Sequence, residues 1–484
     1  MIVVKTNEAR FEYDIHSLVK AFYPDREVKV LEKASTMQSE EGMPEFEIEF
    51  QRNGISFSIK EEDVKTESHT LFSNPDDRAE TKNDLKMLIY ESLSKFLKRE
   101  LPWGTLTGIR PTKIPMTLLS DQEKSYSEEE ILRFMQKKYA VSEEKGKLSI
   151  EIAKREKELL SRLHYKDGYS LYIGIPFCPT TCLYCSFTSF PIHAWIDKVD
   201  AYLTALEREI DAVAVMMDGK ILDTVYIGGG TPTTLSAKEL DRLFTKLKGA
   251  FDFSSVQEFT VEAGRADSIT KEKLQVLYRH GVSRISVNPQ TMKEETLKMI
   301  GRKATAAQTV EAYELAREVG FQNINMDIIL GLPGESAEDV AGTIEKIGRL
   351  APDSLTVHSL AVKRASKLSQ WIQVNGIKML NNTEETMEIA AKGAEKMGLA
   401  PYYLYRQKNM SGNFENVGYA AEGKFGIYNI LMMEEVQDIV AIGAGSISKR
   451  LYEGGRIERC ENVKDVAQYI GRIDEMIERK RALF

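Results

Sequence analysis

The sequence predicts a mixed α/β fold with more than one domain. Six apolar stretches of strand length recur between residues 171 and 362, and amphipathic stretches with helical spacing separate them. Such an alternation implies a parallel sheet with helices outside it, either open or barrel-like. The chain has 484 residues, more than one hydrophobic core usually supports, so two or three domains are expected.

The six strands and their helices make up a central segment, residues 166–375. Ser236 with Glu239, and Ser336 with Asp339, have the spacing of a capping box and mark the starts of two helices. Ligands bind at the carboxyl ends of such strands, so functional motifs are expected there. The predicted strands are 171–177, 221–229, 257–264, 284–290, 323–332 and 354–362.

Residues 1–165 are expected to form a separate α+β domain of unknown role. Apolar residues alternate at 46–50 and 55–59 around Asn53-Gly54, which predicts a hairpin with positive φ angles in its turn. Helical spacing follows at 85–97. The turn-rich stretch 101–114 is either a docking loop or a well-packed connector.

Residues 376–484 are expected to form a C-terminal α+β segment that covers the substrate. It contains a predicted helix near 384–398, a strand at 402–408 and a glycine-rich stretch at 442–446.

Composition limits the partners. The net charge of −8 argues against a nucleic-acid-binding surface. No window approaches the roughly 18 uninterrupted apolar residues of a membrane span, and the first residues are too charged for a signal peptide. We therefore expect a cytoplasmic protein with no membrane span and no nucleic-acid partner.

Three of the four cysteines lie within one short stretch, Cys178-Pro-Thr-Thr-Cys182-Leu-Tyr-Cys185. The C-x3-C-x2-C spacing after a predicted strand places three thiols on one loop, which suits an iron–sulfur cluster. There are two alternatives. One is a zinc site that recruits His193, and the other is a redox pair of Cys182 and Cys185. Cys460 lies far away in the sequence.

A glycine-rich motif, Gly228-Gly229-Gly230-Thr231-Pro232-Thr233, ends the second predicted strand. Glycines allow a ligand to approach the backbone, and we expect N–H groups there to be free to bind it. A simple turn is the alternative.

C-x3-C-x2-C after the first strand of a β/α segment resembles the radical S-adenosylmethionine (SAM) superfamily. The resemblance implies a partial (β/α)6 barrel and a [4Fe–4S] cluster on Cys178, Cys182 and Cys185. It also implies that SAM binds the fourth iron and is cleaved to a 5′-deoxyadenosyl radical, which takes a hydrogen atom from the substrate.

Further motifs between about Tyr172 and Gly445 resemble the oxygen-independent coproporphyrinogen III oxidases and their relatives: YIGIPFC, GGGTPT, S-x-N-x-Q, I-G-R and NMDIILGLPGES. The N-terminal domain is similar to that of the HemZ-type, coproporphyrinogen dehydrogenase-like members. The resemblance implies oxidative decarboxylation of coproporphyrinogen III to protoporphyrinogen IX, or a related porphyrin reaction, with a low-potential electron donor such as flavodoxin or ferredoxin. A haem-binding or haem-delivering protein and a radical SAM methyltransferase are the alternatives.

The chain departs from these relatives at a few positions. Phe187 stands where the best-known oxidases have a further cysteine, and Gly174 stands where they have a histidine. Residues 415–420 lack the histidine and tryptophan of the H-N-x-x-Y-W motif of the haem chaperones.

The resemblance also assigns SAM contacts residue by residue. Taken singly, a polar residue at a strand end is as often a loop-bonding residue. His358 on the sixth strand faces either the site or the core. The SAM contacts implied are Tyr172, Tyr184, Gly229, Gly230, Thr231, Glu262, Gln290, Arg302, Asp327 and Ala361.

Basic residues are expected to hold the propionates of the substrate, since an unpaired buried carboxylate is costly. Solvated surface charge is the alternative for each of them. The candidates follow the sixth strand or end the strand at 402–408, and they are Lys363, Arg364, Arg406 and Lys408.

Overall fold

The fold is taken from a computed structural model, which describes residues 1–24, 26–62, 64–108, 110–164, 167–187, 189–363, 366–376, 379–406 and 414–484. The chain divides into two compact units. The first contains Met1–Lys154 and Arg406–Phe414, and the second contains Arg155–Tyr405 and Glu415–Phe484. The predicted domain boundaries at residues 165 and 375 stay predictions.

The first unit contains a five-stranded sheet with the strand order β2-β1-β3-β4-β5. β1 pairs in parallel with β2 and β3, whereas β3, β4 and β5 pair antiparallel. The strands are β1 (Ile2–Thr6), β2 (Val28–Glu32), β3 (Glu45–Phe50), β4 (Gly54–Glu61) and β5 (Val64–Leu71). The helices are α1 (Glu12–Phe22), α2 (Arg78–Leu97), α3 (Lys113–Leu119), α4 (Glu128–Tyr139) and α5 (Glu143–Leu160), the last of which contains the boundary between the units.

The predicted hairpin is present as β3 and β4, but the reason for its glycine differs from the prediction. Neither Asn53 nor Gly54 has a positive φ. Gly54 lies opposite Leu71 of β5, and a Cβ there would come within 2.2 Å of the Thr70 carbonyl oxygen. Glycine is therefore required by the close approach of the third strand rather than by a left-handed turn.

The turn-rich stretch after α2 is packed rather than open. Trp103 is 1% exposed, and a Cβ on Gly104 would meet the Tyr139 carbonyl oxygen at 2.0 Å. The stretch is thus the packed connector rather than an exposed docking loop over its described residues.

The second unit contains an eleven-stranded sheet in the described residues, with the order β14-β15-β13-β12-β11-β10-β9-β6-β16-β17-β18. β7 and β8 form a separate two-stranded pair. The strands are β6 (Gly168–Ile175), β7 (Phe177–Cys178), β8 (Phe190–Pro191), β9 (Ile221–Gly229), β10 (Glu258–Gly264), β11 (Arg284–Val287), β12 (Ile324–Leu330), β13 (Ser354–Ser359), β14 (Ala400–Tyr405), β15 (Asn416–Ala420), β16 (Asp438–Ile442), β17 (Ile447–Leu451) and β18 (Ile457–Glu461).

Helices connect these strands. The capping boxes predicted at Ser236 and Ser336 are both formed, and they start α7 and α11. The helices are α6 (Val199–Met216), α7 (Ala237–Ala250), α8 (Lys271–Arg279), α9 (Glu294–Met299), α10 (Ala306–Val319), α11 (Ala337–Leu350), α12 (Lys367–Asn375), α13 (Glu384–Lys396), α14 (Ile427–Glu434), α15 (Val466–Gly471) and α16 (Ile473–Leu483).

The predicted α/β class is confirmed, and all six predicted central strands are present and parallel. Their apolar runs are buried on both faces, as in β6, which suits a parallel sheet covered by helices. The sequence did not predict a seventh parallel strand, β16, which pairs with β6.

The segment after residue 376 extends this same sheet at both ends. β14 and β15 join antiparallel beside β13, and β16 joins beside β6 and is followed by β17 and β18. None of the helices in the described residues is both long and apolar enough to span a membrane.

Candidate functional site

The motifs singled out in the sequence converge at the carboxyl ends of the parallel strands. The cysteine loop follows β6, the glycine motif ends β9, and Glu262 lies near the end of β10. Gln290 follows β11, and Asp327 lies in β12. Because parallel strands end at one edge of the sheet, these residues share one side of the second unit.

The cysteine loop brings three thiols together. Cys182 is buried, and Cys178 and Cys185 are partly exposed. Burial raises the pKa of Cys178 and of Cys185, and the neighbouring thiols raise it further. Binding of metal here must therefore release thiol protons.

Backbone bonds fix this loop against the rest of the unit. Leu183 N–H donates to the Ile300 carbonyl at 3.0 Å, and Leu368 N–H donates to the Leu183 carbonyl at 2.9 Å. Thr180 Oγ1 donates to the Gly301 carbonyl at 3.0 Å. The loop is thus tied directly to the segment that leads into Arg302.

The glycine motif lies against the backbone that carries Cys178. Gly230 N–H donates to the Ile175 carbonyl and Thr231 N–H donates to the Phe177 carbonyl, both at 2.7 Å. The expectation that these N–H groups are free was therefore wrong for these two residues. The glycine at 230 is needed for close approach, because its Cβ would lie 2.4 Å from the Phe177 carbonyl oxygen.

The same motif also contacts the cysteines and the first strand. Thr231 Oγ1 lies 3.4 Å from Cys178 Sγ. Gly229 has a φ of +101°, and a Cβ there would lie 3.3 Å from the Tyr172 hydroxyl oxygen. The motif thus joins Cys178 to Tyr172 and leaves little room for any side chain.

Three tyrosines stack beside this motif. The rings of Tyr226 and Tyr428 are 4.4 Å apart, and Tyr172 lies 6.1 Å from Tyr226 and 6.2 Å from Tyr428. The Tyr226 hydroxyl donates to Glu262. The stack forms a rigid wall next to a carboxyl group.

Two carboxyl groups in the site are held in different states. Burial raises the pKa of Glu262 to about 7, although the Tyr226 hydroxyl opposes that shift. Burial would also raise the pKa of Asp327, but His358 and Asn325 outweigh it and lower the pKa. His358 Nε2 lies 3.8 Å from Asp327 Oδ2, and Asn325 donates to Asp327 Oδ1 at 2.7 Å.

Gln290 and Arg302 keep buried polar atoms without a hydrogen-bond partner in the described residues, namely Gln290 Oε1 and Arg302 Nε. Gln290 has a φ of +67°, and its backbone is bonded to Asp327 and Ile329 at 2.9 Å each. Arg302 donates to the Asn288 carbonyl, and its Nη2 donates to the Tyr184 hydroxyl at 3.3 Å. Strained backbone and orphaned polar atoms at one edge indicate a ligand site.

β11 is shorter than predicted. It ends at Val287 rather than continuing to residue 290, and Gln290 forms only an isolated bridge with Ile328.

The remaining predicted site residues are Ala361 and the basic residues expected to hold the substrate. Ala361 and Lys363 lie shortly after β13, which ends at Ser359, and the Lys363 ammonium lies 5.5 Å from the Phe187 ring centroid. Burial lowers the pKa of Lys363, and the nearby Cys185 partly offsets this. Arg364 and Lys408 lie outside the described residues.

Arg406 belongs to the first unit. Its side chain is buried, donates to the Leu106 carbonyl and lies 5.8 Å from the Trp103 ring centroid. Cys460 is buried in β18, three strands along the sheet from β6.

Sequence reasoning missed Arg265, Tyr226 and Tyr428. Tyr226 lies two residues before Gly228 on β9 and so shares its face, a signal that strand alternation offers. Arg265 directly follows β10, where a strand-end residue faces the site. Tyr428 lies on α14, far away in sequence, and nothing local marks it.

The three thiols fit a cluster that needs three protein ligands and leaves one iron open. In the part of the chain that the structure describes, no group of three or more His, Cys, Asp or Glu side chains is arranged to hold a single metal ion. The orphaned Gln290 and Arg302 atoms and the glycine cradle fit a polar ligand beside the thiols.

Comparison with known proteins gives the class. Residues 172–347 match the family model of the radical SAM superfamily. The chain is therefore a radical SAM protein, a class whose members use a [4Fe–4S] cluster and SAM.

Similarity over nearly the whole chain gives the family. The chain is 40% identical over 437 residues to the oxygen-independent coproporphyrinogen-III oxidase-like protein HemZ of Bacillus subtilis, which covers 88% of this chain and 86% of that protein. It belongs to this oxidase-like family of radical SAM enzymes.

Two further comparisons are consistent with that family. The chain is 32% identical over 309 residues to the haem chaperone HemW of Bacillus subtilis, which covers 63% of this chain and 76% of that protein. A solved structure of coproporphyrinogen III oxidase (HemN) from Escherichia coli matches with a TM-score of 0.50 at 24% identity, covering 66% of this chain and 72% of that chain. The structural match confirms the fold.

Proposed function

We propose that the protein catalyses oxygen-independent oxidative decarboxylation of coproporphyrinogen III to protoporphyrinogen IX, or a closely related porphyrin reaction. The observation that carries the proposal is the 40% identity to HemZ, which extends over 88% of the chain and so includes both compact units. A low-potential electron donor such as flavodoxin or ferredoxin, in the same cytoplasmic compartment, would supply the electrons.

Cys178, Cys182 and Cys185 would hold the cluster. Residues beside the cysteine loop, at the same edge of the sheet, would hold SAM. Among them, the planar guanidinium of Arg302 would donate to an oxygen of SAM. The orphaned Gln290 Oε1 and Arg302 Nε support this assignment, since a bound ligand would satisfy them. The SAM set is Tyr172, Tyr184, Gly229, Gly230, Thr231, Glu262, Gln290, Arg302, Asp327 and Ala361.

When bound, the cluster and SAM supply a 5′-deoxyadenosyl radical. The protein residues would bind and orient SAM and shield the radical from the solvent. Asp327 stays ionised and accepts hydrogen bonds from hydroxyl or amino groups, because His358 and Asn325 hold it in that state. Glu262, with a pKa near 7, can either accept or donate a hydrogen bond. The tyrosine stack contacts Glu262 through the Tyr226 hydroxyl.

Lys363 is the described residue that best suits a substrate propionate. It follows β13 at the same edge as the cysteines and lies close to Cys185. An anionic carboxylate would offset the burial that now disfavours its charge. Arg406 is already engaged with the Leu106 carbonyl and the Trp103 ring, so we do not assign it a propionate.

The test is anaerobic turnover of the reconstituted protein with SAM, a reductant and coproporphyrinogen III, with products resolved by mass. We expect loss of carbon dioxide from the porphyrinogen together with formation of 5′-deoxyadenosine. Cys182→Ser should abolish both. Cleavage of SAM with no change in the porphyrinogen would refute the proposed substrate.

Lys363→Met separates substrate binding from SAM cleavage. We expect a higher KM for the porphyrinogen and an unchanged rate of substrate-free SAM cleavage. Lys367→Met, at an exposed position in α12, is the matched control. Equal KM values in the wild type and Lys363→Met would remove Lys363 from the substrate site.

A haem-binding function is the second candidate, and the similarity to HemW favours it. Residues 416–420, where the haem chaperones carry their motif, form the fully buried strand β15 here, and Asn416 Oδ1 accepts from the Ser359 N–H. A haem titration of the same preparation decides: stoichiometric haem binding without decarboxylation would favour the chaperone function.

A further inference from the structure

Arg265 is a buried cation that reaches the cysteine loop. It directly follows β10, and its side chain is 5% exposed. Its guanidinium forms a two-point ion pair with Asp267, with Nε to Oδ1 at 2.9 Å and Nη2 to Oδ2 at 2.7 Å. This fork fixes the plane of the guanidinium and leaves Nη1 directed away from the carboxylate.

In the described residues, the hydrogen bonds of Nη1 are with the cysteine loop. Nη1 donates to the Thr180 carbonyl and to Thr180 Oγ1 at 2.9 Å each, and to Cys182 Sγ at 3.7 Å. Thr180 in turn donates to the Gly301 carbonyl. Arg265 therefore holds both the backbone before Cys182 and the sulfur of Cys182 itself.

Cys182 differs in this respect from the other two cysteines. The Cys178 sulfur lies 3.4 Å from the hydroxyl of Thr231, which is neutral. Lys363 is near Cys185, but its ammonium lies over the Phe187 ring. The guanidinium of Arg302 also interacts with Cys182, but in the described residues only that of Arg265 is held in place by a carboxylate.

We propose that Arg265 is a positioning residue that sets the reduction potential of the cluster through an N–H···S hydrogen bond to Cys182. Hydrogen bonds and positive charge at a ligand sulfur stabilise the more negative, reduced state of an iron–sulfur cluster. Asp267 offsets part of that charge while it holds the guanidinium in place. The inference depends on the cluster and not on which porphyrin compound is the substrate.

The two members of the ion pair give opposite expected shifts. Arg265→Gln removes a positive charge and the N–H···S bond, so it should lower the potential. Asp267→Asn removes a negative charge and leaves the guanidinium, so it should raise the potential. General loosening of the loop would move both variants in the same direction.

The experiment is a dye-mediated redox titration of the reconstituted, SAM-free protein, followed by electron paramagnetic resonance of the reduced cluster. We expect Arg265→Gln to favour the oxidised state about tenfold more than the wild type, which for a one-electron couple is about 59 mV. Iron content per chain is measured alongside. Arg279→Gln is the matched control, since Arg279 pairs with Asp241 on the surface, with Nη2 to Oδ1 at 2.9 Å.

A lowered potential in Arg265→Gln with a raised potential in Asp267→Asn, and no shift in Arg279→Gln, supports the proposal, and shifts in the reverse directions overturn it. An unchanged potential in Arg265→Gln, or shifts of the same sign in both variants, overturn it. If Arg265→Gln takes up no cluster, Asp267→Asn decides: a raised potential supports the proposal, and an unchanged or lowered one overturns it. None of these outcomes depends on porphyrinogen turnover.

Discussion

A fully buried ion pair ties the C-terminal helix α16 to helix α6, and breaking it should be costly. Lys480 Nζ lies 2.6 Å from Glu209 Oε1 and donates to Asn462 Oδ1 at 2.6 Å, and the side chains of Lys480 and Glu209 are 0% exposed. Glu209 Oε2 also accepts from the Gly443 N–H at 2.8 Å and from the Tyr469 hydroxyl. The carboxylate is thus the common acceptor of a closed network.

Lys480→Met removes the cation but keeps an unbranched side chain of similar length. Glu209 is then left buried without its counter-charge, and breaking such a pair from one side costs about 3–5 kcal/mol. At about 1.36 kcal/mol per tenfold change, this corresponds to about 160-fold to 5,000-fold faster opening of the region. The double variant Lys480→Met/Glu209→Gln should lose less stability against local opening than the sum of the losses in the two single variants.

The assay is native-state hydrogen exchange of the backbone amides of β16, which measures local opening without a two-state assumption for the whole chain. Arg208→Gln is the control, because Arg208 pairs with Asp474 between the same two helices, at 53% and 78% exposure. An exposed pair of this kind is worth about 0–1 kcal/mol. Exchange rates in Lys480→Met within about fivefold of the control would refute the reasoning.

Three other perturbations test the site. Cys182→Ser should abolish cluster binding because the loop loses one of three thiolates, whereas Cys460→Ser, in β18, should leave the iron content unchanged. Gly230→Ala should lower the melting temperature of the cofactor-free protein, because the added Cβ would lie 2.4 Å from the Phe177 carbonyl oxygen. Glu262→Gln should stabilise the cofactor-free protein relative to the wild type at pH 8 but not at pH 4, by up to about 3 kcal/mol.

The sign of the last effect follows from the direction of the pKa shift. The folded protein holds a proton on Glu262 up to about pH 7, whereas the unfolded chain releases it near the ordinary value of 4.5. The wild type therefore loses stability as the pH rises from about 4.5 to about 7. A difference in melting temperature between the two proteins that stays constant from pH 4 to pH 8 would contradict this prediction. Full iron loading of Cys182→Ser would contradict the prediction about the cluster. An unchanged melting temperature in Gly230→Ala would contradict the prediction about the glycine motif.

The central strands and the cysteine loop were predictable because their signals are local. A continuous apolar run such as β9 is specified by consecutive residues, and Ile221–Gly229 matched the prediction at both ends. The spacing from Cys178 to Cys185 is likewise set within one loop. Strand β16 was missed because its pairing with β6 joins residues more than 260 positions apart, as in Ile439 with Ser170.

The chemistry of single residues was less predictable, because it depends on partners brought by other elements. The pKa of Glu262 rises through burial, yet nothing near it in sequence predicts that the Tyr226 hydroxyl will oppose the rise. Arg265 looks like an ordinary polar residue after a strand, and only the approach of Thr180 and Cys182 gives it a role. The glycine motif shows the same limit, since the carbonyl partners of its N–H groups, Ile175 and Phe177, lie more than 50 residues away in the sequence.

The C-terminal residues are part of the functional edge rather than an addition to it. β16 leads into Gly443, whose φ is +91° and whose Cβ would lie 2.3 Å from the Gly174 carbonyl oxygen. The Tyr202 hydroxyl donates to that carbonyl at 2.6 Å and accepts from the Ala444 N–H at 3.1 Å. Gly174 is the second residue after Tyr172, so Glu209 and Lys480 act through Gly443 on the strand that carries both Tyr172 and the cysteine loop. A change near the C-terminus is therefore expected to reach the strand that carries Tyr172 through the Gly443–Glu209 hydrogen bond and through the bonds that Tyr202 makes with Ala444 and Gly174.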